Sequence, residues 1–236
     1  MDPKEVTERF AGLTTAHLAD GCVRAGVEVR CAPAGLRPVE AGQRLAGRVV
    51  PARHAGSVDI FLEALETTAV AGDVLVVDND GRLDESCVGD LVVLEAAAAG
   101  LTGVVIWGLH RDTGDIRAIG LPVFRLGSIP TGPLRLDSRP DAALESARVG
   151  DWTVGPSDLV FGDDDGVLFL PAERAAEVLG IAERIRDTEH RQARQLRAGD
   201  SLRRQLSFGD YLARRAQQPE LTFREHLRSV SGAIEE

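Results

Sequence analysis

The stretch that most constrains this chain is Gly103-Val-Val-Ile-Trp-Gly-Leu-His-Arg-Asp-Thr-Gly-Asp115, an apolar run that meets a glycine and then delivers an arginine and two carboxylates. Val104 to Trp107 are β-branched or aromatic, too few for a helix and continuous enough for a strand covered on both faces, and Gly108 is expected to end it. Upstream, residues 74–78 read as a second covered strand. Gly89-Asp90-Leu91-Val92 opens an amphipathic helix over 90–99, and Gly100-Leu-Thr-Gly103 is short enough to return the chain beside its starting point. Strand 74–78, helix 90–99 and strand 103–107 therefore compose a βαβ unit. Its parallel strands put the helix N-terminus and the Arg111 loop at the same end of the sheet.

That placement gives the loop a chemical reading. Free N–H groups at Gly89, Asp90, Leu91 and Val92 make an anion-binding helix terminus, and Arg111 adds a fixed cation beside it, so both can hold one carboxylate. Asp112 and Asp115 stand three residues apart, on one side of a helical turn, and form a candidate metal site. The plainer alternative is a surface Arg–Asp pair, with Asp112 or Asp115 capping a short helix.

The same residues carry a resemblance. Gly-Asp-Val-Leu-Val-Val-Asp at 72–78, Val88-Gly-Asp-Leu91, Gly-Val-Val at 103–105, Arg111-Asp112 with Asp115, and Leu-Pro-Val-Phe at 121–124 follow one another in the order and spacing of a known family. It is the family that joins 4-hydroxy-4-methyl-2-oxoglutarate aldolases to the RraA regulators of ribonuclease E. The resemblance covers roughly residues 40–175. It implies an α/β fold of the layered β/β/α swivelling type with helices at both termini, and a homotrimer or a hexamer built from two trimers. It also implies an active site completed by a glutamate of a neighbouring subunit, for which Glu189 is the candidate by position.

Asp112 and Asp115 offer hard oxygens and nothing softer, which suits Mg2+ or Mn2+ with most ligands supplied by water; zinc would want His or Cys. An α-keto acid chelated there would place its keto oxygen under Arg111 and its carboxylate on the amides of 89–92. Such a constellation stabilises a pyruvate enolate, the intermediate both of retro-aldol cleavage of a 4-hydroxy-2-oxo acid and of oxaloacetate decarboxylation. Aldol cleavage also needs a base, a water oriented by Asp90 or a carboxylate such as Glu189. No lysine lies in the motif, which counts against a Schiff base. Trp107, Leu109 and His110 stand where aldolases of the family carry smaller or acidic residues, so substrate choice stays open, and His110 reads as a proton donor or as loop packing. The competing class is a binding protein: the ribonuclease regulators lack the metal aspartate that this chain keeps. A demethylmenaquinone methyltransferase, a label often attached to the family, finds no glycine-rich cofactor loop here.

A formal net charge of −10 argues against a nucleic-acid surface, which needs clustered Lys and Arg. Cys22, Cys31 and Cys87 are odd in number and lack Cys-x-x-Cys spacing, so they are expected to be reduced and buried, with no zinc cluster. No apolar run reaches membrane-spanning length, and the cytoplasm is the expected compartment.

Around this centre, Asp2-Pro3 is a cap-then-proline helix start and Thr14 or Thr15 caps a second helix to Gly26, in which His17 is assigned no role. Residues 27–43 read as loop, 45–51 as strand, and a helix follows Ser57; Arg53 and His54, in the intervening loop, read as surface before pocket. Asn79-Asp-Gly81 is a turn. Strands follow over 149–154, 157–161 and 166–170. Gly162-Asp-Asp-Asp-Gly166 reads as a hairpin turn ahead of a calcium loop, because the spacing of a calcium-binding EF-hand is absent. A long helix runs from Ala172 to about Ala198, too polar in its second half to be buried within one subunit. The organisation expected is a catalytic domain over 1–198 and an extension over 199–236 of two short helices, Thr222 and Glu225 forming a capping box.

Overall fold

The computed structural model of the chain describes residues 2–230. In chain order its elements are α1 (Pro3–Phe10), α2 (Thr15–Ala25), β1 (Arg30–Cys31), β2 (Arg37–Pro38), β3 (Leu45–Arg53), α3 (Asp59–Thr67), β4 (Val74–Asp78), β5 (Ser86–Val88), α4 (Asp90–Ala98), β6 (Gly103–His110), α5 (Thr113–Ile119) and β7 (Val123–Ser128). There follow β8 (Ala147–Val149), β9 (Trp152–Val154), β10 (Asp158–Asp163), β11 (Gly166–Pro171), a 3-10 turn at Ala172–Arg174, α6 (Ala175–Arg197), α7 (Leu202–Gln205), α8 (Phe208–Gln217) and α9 (Phe223–Val230).

The main sheet has the order β1-β11-β10-β3-β4-β6-β7-β2, with β5 added beside β6 and β8-β9 as a separate hairpin. β3, β4, β6 and β7 are mutually parallel, and the βαβ unit expected from the sequence is present as β4-α4-β6. The sheet cannot be flat. Its outermost strands β1 and β2 are separated by residues 32–36 alone, a reach of roughly 20 Å, whereas eight flat strands would hold them roughly 34 Å apart. The sheet curls instead, and Gly162 of β10 faces Phe124 of β7 so closely that a Cβ there would lie 2.9 Å from the ring. Inside the curl pack Leu36, Val49, Val76, Val105, Phe124, Val160 and Phe169, closed by Val149 and Val154 of the hairpin. One outer face is covered by α3, α4 and α5 and the other by α1, α2 and α6, so the layered fold expected from the sequence is the one observed.

Local chemistry explains most boundaries. The Asp2 side chain accepts from Lys4 N and Pro3 opens α1; Thr14 caps α2. Asp80 and Gly81 turn the chain with φ of 57° and 66°. β10 and β11 form a hairpin in which buried Asp163 accepts from Thr15 N and Oγ1, so that carboxylate serves the fold.

Five expectations need correction. The strand expected over 149–154 is two, β8 and β9, paired antiparallel across a turn at Gly150 and Asp151. Gly108 does not end the strand: β6 continues to His110 because β5 and β7 both pair with its far end, and the glycine instead allows close approach, a Cβ there lying 2.9 Å from Asn79 Cβ. The 27–43 loop contains β1 and β2, two-residue strands made by tertiary pairing. Cys31 is exposed while Cys22 and Cys87 are buried, and all three are free thiols. The tail holds three helices, α7 being a single turn capped by Ser201; Thr222 and Glu225 do form the capping box, and Phe208, Tyr211, Phe223 and His226 pack together.

Candidate active site

The Arg111 corner is assembled by three neighbouring backbones. Arg111 N donates to Val88 O at 3.0 Å, which locks the end of β6 to the end of β5 one residue before α4 begins. Gly89 is the N-cap of α4, so the amides of Asp90, Leu91 and Val92 have no intrahelical acceptor. Asp112 stands at the N-cap position of α5 with no side-chain bond to the helix, in a left-handed conformation, φ 59° and ψ 40°, unusual for a residue with a side chain and the kind of local strain that functional sites hold.

These constraints bring Gly89, Arg111 and Asp112 into contact. Arg111 Nε lies 3.3 Å from Asp112 Oδ2, and a Cβ on Gly89 would stand 2.7 Å from that oxygen and 3.4 Å from Arg111 Nε. A side chain at position 89 would have to displace the Asp112 carboxylate from this position. Gly132 closes the other side, where a Cβ would meet Arg111 Nη1 at 3.0 Å. Yet Arg111 remains 49% exposed, between two depressions. One, about 290 Å³, is lined by Asp112, Thr113, Ser128, Ile129 and Pro130; the other, about 340 Å³, by Val58, Leu62, Asp90, Leu91, Leu94 and Glu95.

The second depression corrects the amphipathic reading of α4. Val92, Val93 and Ala96 face the sheet, but Leu91 and Leu94 are exposed, as are Val58 and Leu62 of the α3 segment. The helix is apolar on both sides, which leaves an apolar patch at the rim of Arg111. Asp115 lies exposed in the first turn of α5, on the same helix end as Asp112.

His110, next to Arg111, is fully buried. Its Nδ1–H donates to Gly127 O at 2.9 Å, so Nε2 accepts from Thr113 Oγ1 at 2.9 Å, and burial holds its pKa below the ordinary imidazole value. The packing reading of His110 follows. Trp107 lies against Gly81 on the other face of the sheet end.

Glu189 is not brought to this corner within one chain. It sits on α6, which packs along α2 on the β10–β11 side, with β3 and β4 between those strands and β6. There His17 Nδ1 accepts from Thr14 N at 3.0 Å, so Nε2 carries the proton and donates to Glu189 Oε2 at 3.0 Å. Burial, with the charge of Glu189 next, raises the pKa of Asp20 beside them. Sequence reasoning missed Ser128, Ile129, Pro130 and Gly132; the only signal for them is a Pro and a Gly just past a strand.

A family profile described as RraA-like, Aldolase/RraA, matches residues 15–169. The chain belongs to the RraA-like family. Protein DlpA of Legionella pneumophila is 26% identical over 201 residues, which are 83% of this chain and 32% of that protein, so the RraA-like chain spans about a third of that relative's length. Among solved structures, Streptomyces coelicolor RraAS2, described as an unusual member of the RNase ES inhibitor RraA family, superposes with a TM-score of 0.67 at 26% identity, covering 78% of this chain and 94% of that one. The RNA-processing inhibitor RraA of Thermus thermophilis gives 0.54 at 28% identity, covering 61% and 86%. The RraA-like family includes aldolases and ribonuclease inhibitors alike. No helix among the described residues is long and apolar enough to cross a membrane.

Proposed function

We propose that this chain is a divalent-metal-dependent pyruvate lyase, cleaving 4-hydroxy-2-oxo acids such as 4-hydroxy-4-methyl-2-oxoglutarate, decarboxylating oxaloacetate, or both. The observation that carries the reading is the Arg111–Asp112 corner, where an aspartate at positive φ is held against the Gly89 cap of α4. Arg111 keeps guanidinium donors free for a keto oxygen, and the amides of Asp90, Leu91 and Val92 take the substrate carboxylate. When the bond beyond C3 breaks, its electron pair enters the enolate, and the charge that appears on the keto oxygen is met by Arg111. In the aldol case a water oriented by Asp90, or Glu189 from a second copy, takes the hydroxyl proton.

The donor chemistry fits magnesium or manganese. Asp112 and Asp115 are hard carboxylates, and no group of three or more His, Cys, Asp or Glu side chains gathers into a metal cluster among the described residues, so an ion held here would keep mostly water ligands. Bound there, it supplies Lewis-acid polarisation of the keto oxygen. The test is pyruvate release from both substrates with magnesium and then with EDTA. Asp112→Ala is expected to remove nearly all metal-dependent release while the protein stays folded; equal release by the variant would sink the assignment.

Glu189 enters this scheme only in an assembly, a homotrimer or a hexamer. Mixing Arg111→Ala with Glu189→Gln protein under subunit exchange is expected to restore part of the activity each lacks alone, since some sites then receive both native residues. No recovery in mixed oligomers shown to form would remove Glu189 from the mechanism. The exposed Val58, Leu62, Leu91 and Leu94, together with inhibitor relatives, support a second reading, a regulator acting by protein contact. Absence of pyruvate release with either substrate would favour it.

A further inference from the structure

A separate cavity of about 390 Å³ opens at the carboxyl ends of β3 and β4 and shares no lining residue with the two depressions around Arg111. Its charged lining is Arg53, Asp78, Asp80, Arg82, Arg135, Asp137 and Arg148. We propose that it binds a small oxyanion, a carboxylate or phosphate group, on Arg53 and Arg148.

The argument is which groups are already engaged. Asp78 Oδ1 accepts from Asp80 N at 2.9 Å and Oδ2 from Arg148 N at 3.0 Å, so backbone amides satisfy this carboxylate. Arg135 is committed to Glu85, Asp137 and Asn79 Oδ1, and Arg82 to Asp84. Arg148 pairs with Asp80 across open solvent, where an ion pair binds weakly and is readily exchanged. Arg53 is the guanidinium left over: its only contact among the described residues is Nε to Asp78 Oδ2 at 3.4 Å, and it is 45% exposed.

Unfilled donors point the same way. Asn79 Nδ2, in the turn behind this corner, is buried without a hydrogen-bond partner, Arg82 Nε in the lining has only a 3.4 Å ion-pair contact to Glu85, and His54 Nε2 is a buried acceptor without a partner. The guanidinium N–H groups of Arg53 and Arg148 that carboxylates of the lining leave unused favour a ligand that brings acceptor oxygens, and arginine side chains present paired N–H groups that match an oxyanion. The cavity lies beyond the carboxyl ends of two parallel strands, β3 and β4.

The test is calorimetric titration of the full-length protein with inorganic phosphate and, separately, with glycerate. Arg111→Gln, which removes only the other anion corner, is expected to retain a site for at least one of the two, as wild type has, at millimolar concentration or tighter. Arg53→Gln with Arg148→Gln is expected to weaken that binding by about tenfold or more. Asp78 keeps both of its backbone donors in the double variant and loses only the 3.4 Å contact to Arg53, so the titrations are run well below the melting temperature measured for each protein. Binding of phosphate alone would identify a phosphorylated ligand, and of both a general oxyanion. Unaltered binding by the double variant, loss of binding in Arg111→Gln, or no binding of either probe would overturn the proposal.

Discussion

Arg111 and Arg135 belong to neighbouring corners of one sheet end and are used in opposite ways. Arg135 is wrapped: its three nitrogens donate to Glu85, Asp137 and Asn79 Oδ1, and it is 20% exposed. Arg111 has a single 3.3 Å contact to the aspartate beside it and is half exposed between two depressions. The wrapped guanidinium neutralises a carboxylate the fold has buried completely, Glu85. The open one is held in place by backbone, through Val88 O, Gly89 and Gly132, so its side-chain donors stay uncommitted. Such an arrangement separates an arginine whose donors are spent on a buried carboxylate from one that keeps donors for a ligand.

The largest effect expected of breaking this contrast is on stability. Arg135→Ala leaves Glu85 buried with Leu134 N at 3.2 Å and the longer contact to Arg82, and should cost roughly 3–5 kcal/mol in urea unfolding. Should it unfold no more easily than wild type, Glu85 is not the buried charge that this geometry makes it.

Arg111→Ala should do the reverse. Pyruvate release is expected to fall by about a hundred- to a thousandfold, as when a preorganised donor to a developing oxyanion is removed. Unfolding should change by no more than about 0.5 kcal/mol, because the pair it leaves is exposed. Loss of stability with retained activity would exchange the roles of the two arginines.

How much of this was legible in the chain follows from which interactions are local. The βαβ unit could be read because β-branched runs and a short connection act within thirty residues, and the cap near Thr14 and the capping box at Thr222 because they span three, although the part His17 plays in closing the box at Thr14 was not read. Arg111, Asp112 and the α4 amides lie close in sequence to those elements, so their convergence was legible too. The curl was not, since it rests on β1 and β2 pairing with β11 and β7 through tertiary contacts that two-residue strands do not announce. Nor was the Arg135–Glu85 pair, fifty residues apart in sequence, or the exposure of Leu91 and Leu94, since an apolar helix looks alike whichever side is covered.

The smallest expected effect concerns the residue beside Arg111. Burial holds His110 and His54 neutral, so their folded pKa values lie below the unfolded value of about 6.5. As the pH falls through about 6.5, the unfolded chain takes up protons that the native state refuses, so their contribution is fully present above that pH and is lost on acidification. Melting temperature should therefore fall from pH 7.5 to pH 5.5. His110→Leu should flatten part of that slope while costing roughly 1–3 kcal/mol at pH 7.5, because Gly127 O and Thr113 Oγ1 lose their partner. A histidine that only packs leaves the pH profile of pyruvate release in place when replaced, whereas a proton donor takes one limb of the profile with it. Measuring both profiles on the one variant decides whether reactivity at this sheet end begins at Arg111 or one residue earlier.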